Sequence, residues 1–360
     1  MSSPIKIGGH VIGEHVFIIA EVGSNHLGNL DMALKTLQAG AEAGVDAVKF
    51  QMFNPDQLVT RETPVYKHVP DNRFRTQKER FKHMALSRES FLQLARAAED
   101  LGVQFLCTPF DRESAEFLDP LIDAYKIASG DSSNFALVDY AAAKGKPMIV
   151  STGLCEQAEV DRLVERLPQE RTVLLHCVGS YPTPDNQVNL ALIPFYRKRY
   201  AIPIGYSDHT ADILAPLAAT ALGAVVVEKH FILDRGLAAG DRDLSLVPAE
   251  MKRLVDEIRR LEAMWGTVPR RITPAEVYGR SNLRRSPYTL RTGHRGEVFG
   301  IEDILFLRPE SPVAHSLERL TGSSSLRLLQ DLDEEVLLTP ENSEWVDVTH
   351  GSGEPLWKNI

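Results

Sequence analysis

Cysteine is scarce, with three in 360 residues: Cys107, Cys155 and Cys177. None stands in C-x-x-C spacing, which excludes a disulfide scaffold or a zinc ribbon and fits a reducing compartment. A basic excess is also missing. Forty Lys and Arg face 49 Asp and Glu, a formal net charge of −9, so no generally basic surface awaits nucleic acid. No long apolar run is present. Ile213–Val227 is broken by Pro216, Thr220 and Gly223 and is too short to span a bilayer. Met1–Ile19 lacks the charged-then-apolar pattern of a signal peptide. There is no low-complexity tract and no repeat beyond a strand–helix alternation. These absences point to a cytoplasmic protein without membrane or nucleic-acid partners. Apolar residues make up 43% and charged residues 25%, which supplies a large core and excludes wholesale disorder. Mild acidity still permits an anionic substrate, because a local pocket can be positive.

Eight short runs, most of them rich in β-branched residues, predict strands: Val16–Glu21, Ala47–Gln51, Val103–Cys107, Ala124–Ala128, Pro147–Ser151, Thr172–Cys177, Ile202–Tyr206 and Ala224–His230. Helical patterns separate them, among them Asp31–Ala43, Ser87–Leu101, Asn134–Lys144 and Ala211–Leu222, and Pro248–Trp265 closes the series. That alternation is the mark of an α/β protein with a (β/α)8 TIM barrel. An open doubly wound sheet is the rival, but the first strand runs into Val22-Gly-Ser-Asn-His26 with no G-x-G-x-x-G. The stretch Met52–Ala85 shows no clear element, carries many charges and follows a barrel strand, so it is expected to cover the mouth. The barrel is expected over 1–266 and a proline-marked linker over 267–282. A small mostly-β domain over 283–341 and a polar, poorly ordered tail over 342–360 follow.

Nearly every predicted strand ends in a chemically capable residue. The first ends in Glu21, and the second carries Lys49 and Gln51, two apart and so on one face. The third leads to Thr108. The fourth carries Lys126 and leads to Ser129, and the fifth ends in Ser151-Thr152. The sixth holds His176, the seventh leads to Ser207-Asp208-His209, and the eighth ends in Glu228-Lys229-His230. In a barrel these ends converge on one mouth. A lysine inside a barrel strand is costly unless its charge is matched. Two of them, Lys49 and Lys126, ringed by hydroxyls, predict a bound phosphate or carboxylate, although an internal Glu could match either lysine. His209 and His230 end neighbouring strands near Asp208, Glu228 and Glu21. They could hold a divalent metal such as Mn2+, Fe2+ or Co2+ as a Lewis acid, or be satisfied core histidines. His176 lies in apolar context that suits a hydrogen-bonded structural role, and the cysteines read as structural.

The segments Ile18–His26, Gly44–Gln51, Thr108–Asp111, Lys126–Gly130 and Ser151–Gly153 resemble the sialic acid (N-acetylneuraminate) synthase family. So do Leu175–Cys177 with Tyr181–Pro184, Gly205–Thr210 and Glu228–Phe231, in the family's order and spacing over about residues 5–340. The resemblance implies a metal-dependent barrel joined to a small SAF (antifreeze-protein-like) domain in a domain-swapped homodimer. It implies condensation of phosphoenolpyruvate (PEP) with an N-acylated hexosamine to a nine-carbon 2-keto-3-deoxy acid and phosphate. Carried over residue by residue, Lys49, Thr108, Lys126, Ser129, Ser151 and Ser207 match PEP-binding positions. His209 and His230 match metal ligands, for Mn2+ with Mg2+ or Co2+ as alternatives. Glu21, Gln51, Tyr181 and Asp241 match positions near the sugar, and Arg308 matches a small-domain arginine that reaches the partner subunit's site.

Three departures stand out. Gly179 replaces a frequent Asn or Ser, so one phosphate contact is expected to be lost or taken over by backbone N–H or Ser180. Arg242 replaces a His in Ala239–Arg242, and Arg308–Pro312 lacks the usual glycines. They leave open a legionaminic or pseudaminic acid synthase, a spore-coat or surface-polysaccharide relative, or a non-catalytic carbohydrate binder.

Overall fold

The computed structural model describes residues 4–66, 73–320 and 324–347. The chain divides into two compact units, 1–266 and 267–360.

In the first unit all eight expected strands form: β1 Phe17–Gly23, β2 Ala47–Met52, β3 Gln104–Pro109, β4 Tyr125–Ile127, β5 Met148–Ser151, β6 Thr172–Cys177, β7 Ile204–Asp208 and β8 Val226–His230. Neighbours pair in parallel in sequence order, β8 returns to β1, and β3 packs beside β4 to bring the ring to a nearly closed barrel. This is a (β/α)8 TIM barrel.

Side-chain alternation sorts the residues of each strand. Ile18, Ala20, Val48, Phe50 and Leu174 face outward into the core shared with the helices. Phe17, Ile19, Ala47, Leu106, Ile149, Val173 and Val226 fill the lower barrel, together with Ile5, Ile7 and Ile12 at the N-terminus. On five of these strands the next inward position is polar: Glu21 above Ile19, Lys49 above Ala47, Thr108 above Leu106, Ser151 above Ile149 and Glu228 above Val226, while on β6 Leu175 stands above Val173. The barrel is thus apolar below and charged above, along the same inward faces.

Helix α1, Leu30–Ala43, starts at Asn29, whose side chain accepts from the Met32 N–H, and stops at Gly44 in the left-handed region, φ 84°. The stretch expected to lack regular structure contains two helices, α2 Pro55–Leu58 and α3 Gln77–Met84. Their signals are local and easily lost among charges. Asn54 caps α2 with Pro55 at its start, and Thr76 with Glu79 forms a capping box on α3. Residues 67–72 of that stretch lie outside the described ones. Helix α4 is Arg88–Asp100, α5 Arg112–Leu118, α6 Phe135–Ala143, α7 Gln157–Arg166, α8 Leu192–Arg199 and α9 Leu214–Ala221, and α10, Pro248–Met264, closes the barrel. Gly28, φ 74°, sits in the turn from β1 to α1, where a Cβ would stand 2.2 Å from the His83 carbonyl oxygen. Only glycine lets that turn touch the end of α3.

The second unit holds α11 Pro274–Leu283 and strands β9 Ser286–Thr289, β10 Val298–Phe299, β11 Ile304–Leu307, β12 Ser324–Leu328 and β13 Ser343–Asp347. Strand β9 pairs with β11, and β12 lies between β10 and β13, all antiparallel. Its own core gathers Phe299, Ile304, Leu326, Leu328 and Leu338. Two expectations change here. Residues 274–282, read as linker, belong to the helix α11 because Thr273 and Glu276 cap it. Residues 343–347, read as tail, form a strand because Leu326 and Leu328 offer a ladder for it, while 348–360 lie outside the described residues. Among the described residues no helix is long and apolar enough to cross a membrane.

Burial pushes the His26 imidazole, in the β1–α1 turn, down to about 4. Its Nδ1 accepts from the Gly28 N–H at 3.1 Å, which only the neutral ring can do. A depressed folded-state value means the stabilisation is complete above the unfolded value of about 6.5 and is lost as pH falls towards 4. Urea denaturation from pH 7 to 4 should therefore show a shallower loss of stability for His26→Gln than for wild type. Identical slopes would contradict this assignment.

Candidate active site

The strand ends enclose a cavity of about 620 Å³. Twelve of the thirteen expected site residues line it: Glu21, Lys49, Gln51, Thr108, Lys126, Ser129, Ser151, Tyr181, Ser207, His209, His230 and Asp241. Arg308 belongs to the second unit, directly after β11.

Four charges form the floor. Lys49 Nζ lies 2.5 Å from Glu21 Oε2 and 3.7 Å from Glu228 Oε2. Lys126 Nζ lies 3.7 Å from Glu228 Oε1. All four side chains are at most 6% exposed, so water does little to separate these charges. Hydroxyls complete the cluster. Lys49 donates to Thr108 Oγ1 at 3.1 Å, Lys126 to Ser151 Oγ at 2.8 Å, and Ser207 to Glu228 at 3.0 Å. Gln51 donates to Glu21 Oε1 at 2.6 Å, and the Gly153 N–H donates to Ser129 Oγ at 3.0 Å. Glu21 and Glu228 match both lysines internally, the alternative that the sequence leaves open, so burial of the lysines does not by itself require an anion. Glu228, grouped from its position with the histidines, is the bridge between the two lysines.

The environment splits these groups. Burial opposes the Lys49 charge, but Glu21 and then Glu228 outweigh it and raise its pKa. Burial lowers that of Lys126, against the pull of Glu228 and with the help of Lys49. Burial raises Glu21, with Glu228 reinforcing it against Lys49. Glu228 is buried too, yet Lys126 and Lys49 bring it below the ordinary carboxylate range.

Beside the cluster the rings of His209 and His230 stand 5.3 Å apart. Tyr181, which follows β6 and precedes a cis Pro182, lies 4.1 Å from His209 and edge-on to His230 at 6.1 Å. His209 Nδ1 is engaged by the Val178 carbonyl at 2.7 Å, which leaves Nε2 for another partner. His230 Nδ1 is buried with no hydrogen-bond partner, and Asp241 Oδ2 is 3.7 Å away. Burial, and next His209, lowers His230 well below its usual value, so its ring is neutral. A neutral imidazole with an orphaned nitrogen beside a second imidazole fits a divalent cation. Among the described residues no group of three or more His, Cys, Asp or Glu could hold a metal, so the protein offers two imidazoles.

Other expected partners take different roles. Asp208 faces away from the cavity, because it shares a face with Tyr206 rather than Ser207. It pairs with buried Lys229 at 2.5 Å and accepts from Tyr206 and Thr210. His176 Nε2 bonds to the Val188 carbonyl at 2.8 Å, a structural contact. Cys177 lines the cavity, 3.8 Å from His209 Nδ1. The Ser180 hydroxyl donates to the Pro182 carbonyl at 3.1 Å. Above Gly179 sits Leu154, whose Cδ2 would be 2.6 Å from any added Cβ. Arg242 pairs with Asp243 at 3.4 Å and does not line the cavity.

The cavity also takes in residues that the motifs do not mark, Asp131, Arg80 and the apolar side chains Phe53, Leu58, Val59 and Phe81, together with Phe110 of the Thr108–Asp111 segment. Phe53 and Phe110 each stand one residue past a strand, a placement visible in the sequence. Arg80 depends on α3, and the capping box that starts it is the only signal.

Residues 36–270 match the model of the NeuB family. The chain is 37% identical over 318 residues to the N,N'-diacetyllegionaminic acid synthase of Legionella pneumophila, covering 85% of this chain and 89% of that protein. It is 34% identical over 313 residues to a pseudaminic acid synthase of Campylobacter jejuni, covering 85% and 90%. The crystal structure of N-acetylneuraminic acid (sialic acid) synthetase from Leptospira borgpetersenii, in complex with citrate, superposes with a TM-score of 0.69 at 34% identity. The match covers 78% of this chain and 95% of that one.

Removing one member of a buried ion cluster strands the others. Glu228→Leu leaves Lys126 with no carboxylate within ion-pair distance and should cost about 3–5 kcal/mol in urea denaturation. A loss below about 1 kcal/mol would mean that water already solvates these lysines.

Proposed function

The chain belongs to the NeuB family, and from that premise we propose that it condenses PEP with an N-acylated hexosamine to a nine-carbon nonulosonic acid and phosphate. The observation that carries this reading is the pairing, in one cavity, of a lysine–hydroxyl floor with a two-imidazole wall. The first suits a small anion with phosphate and carboxylate ends, and the second suits a metal. A volume of about 620 Å³ leaves room for both substrates.

Lys49 and Lys126, with Thr108, Ser129, Ser151 and Ser207, donate to the phosphate and carboxylate oxygens of PEP. Glu228 keeps both ammonium groups charged and fixed, so little reorganisation accompanies binding. His209 and His230 would hold the divalent metal, Mn2+ in this reading with Mg2+ or Co2+ as alternatives, which would polarise the aldehyde oxygen of the open-chain sugar. Gln51, Tyr181 and Asp241 orient the acceptor so that its aldehyde carbon meets C3 of PEP. A C–C bond forms there, positive charge develops at C2, and water adds to C2. Glu21, whose pKa is raised by burial, takes the proton of that water. The C2–O bond to phosphate then breaks, and phosphate leaves with the bridging oxygen. In the same reading the second unit is a SAF domain, the protein is a domain-swapped homodimer in the cytoplasm, and Arg308 reaches into the partner subunit's cavity.

Phosphate release should be followed with PEP, Mn2+ and a panel of aldoses, with mass spectrometry of the product. Release only with N-acylated hexosamines, and transfer of bridging 18O from PEP into phosphate, is expected. Activity confined to unacylated sugar phosphates would overturn the reading. His209→Ala and His230→Ala should each lower kcat/KM at least about a hundredfold, corresponding to roughly 3 kcal/mol of transition-state stabilisation.

A further inference from the structure

Behind the two imidazoles, on the helix-facing side of the barrel, lies a buried ion pair that the reaction above does not use. The side chains of Lys229 and Asp208 are 0% exposed, and their charged atoms stand 2.5 Å apart. Asp208 immediately precedes His209, and Lys229 immediately precedes His230. Alternation along each strand sends the pair outward and the imidazoles inward. Neither member of the pair lines the cavity.

Its place in the ladder is specific. The register of β7 with β8 sets Tyr206 opposite Val227, Ser207 opposite Glu228 and Asp208 opposite Lys229, and ends there. His209 and His230 are the next residue on each strand, one step past the last rung between them. His230 is still held from its other side, opposite Glu21 of β1. On the β7 side, the ion pair takes over where the backbone rungs stop.

Asp208 gathers four donors. Its Oδ1 accepts from the Tyr206 hydroxyl at 2.8 Å and the Thr210 N–H at 3.1 Å, and its Oδ2 from the Thr210 hydroxyl at 2.9 Å and from Lys229. Lys229 also donates to the Thr210 carbonyl. The residues on both sides of His209 are thereby tied to the strand that carries His230. His209 itself accepts the Thr183 N–H at its carbonyl, 2.8 Å, and holds the Val178 carbonyl with Nδ1.

A buried ion pair is a poor source of stability, because an apolar pair of the same volume often does as well or better. A fully satisfied polar network supplies a single rigid arrangement instead. We infer that the Lys229–Asp208 pair is a positioning device for the metal site: it joins the ends of β7 and β8 at their last rung and sets the separation at which His209 and His230 hold one cation. Lys229 and Asp208 are thus positioning residues. The assignment rests on the reading of the two histidines as metal ligands.

Mn2+ titration without substrates, followed by the electron paramagnetic resonance signal of the free ion, tests it on wild type, Asp208→Asn/Lys229→Met, Thr210→Val and Arg259→Met. The double variant removes both charges together and leaves no buried ion unpaired. It should raise the Mn2+ Kd about 10- to 100-fold, the range for groups that orient metal ligands. Thr210→Val deletes one hydrogen bond to Asp208 and should raise the Kd at least about threefold, which preserves the test if the double variant does not fold. Arg259→Met breaks the ion pair with Asp46 ahead of β1 and β2, at the other end of the barrel. It should lower the melting temperature yet leave the Mn2+ Kd within about twofold, which separates positioning from stability alone. A Kd within about twofold of wild type in the folded double variant, or in Thr210→Val where the double variant does not fold, overturns the assignment, as does an equal rise in Arg259→Met. Wild type that binds no Mn2+ overturns the metal reading instead, and the assignment falls with it.

Discussion

Two ammonium groups and two carboxylates held out of water on the floor of the barrel are the constraint around which the first unit is arranged. Each such ion, taken alone, costs several kcal/mol to bury. Lys49 offsets that cost against Glu21 and Glu228, and Lys126 against Glu228 and the Ser151 hydroxyl. The arrangement survives because the strands are rigid and in register, with Glu21 opposite Lys49 and His230 opposite Glu21. A slip of one residue would turn Glu21, Lys49 and Glu228 into the helix-facing core and bring valines and phenylalanines to the cavity.

The same arrangement accounts for what the cavity can do. A floor that is already paired and hydrogen-bonded has its dipoles set before a ligand arrives, and such preorganised electrostatics act most strongly where water is excluded. The opposed shifts of the two carboxylates divide labour without any difference in residue type. Glu228 stays ionised between the lysines, while Glu21 is the one pushed towards holding a proton. The imidazole pair stands beside this floor rather than within it, and the insertion adds a wall of a third kind, aromatic with the Arg80 guanidinium.

The barrel and most of the cavity were legible in the sequence because both follow from periodicity. Strand parity alone separates Lys49 and Gln51 from Val48 and Phe50, and Glu228 and His230 from Lys229. What parity does not give is partnership. Grouping by strand end placed Asp208 beside the histidines, whereas its place on the Tyr206 face of β7 sends it to Lys229. It did not show that Glu228 reaches both lysines, because that depends on the curvature of the ring rather than on any one strand. Helices α2, α3 and α11 were missed for a different reason. They are short, highly charged or mostly exposed, and are started by caps rather than by an apolar stripe. Arg80 was lost with α3.

The central claim is that the paired lysine floor is the seat of a phosphate- and carboxylate-bearing ligand. Calorimetric titration of PEP, with Mn2+ present and no acceptor, tests it most directly on wild type, Lys49→Met and Lys126→Met. The account predicts one PEP bound per chain by wild type and a loss of at least about tenfold in affinity for each variant, consistent with one charged hydrogen-bond donor removed. Unchanged affinity in both folded variants, or no PEP binding by wild type, would contradict it.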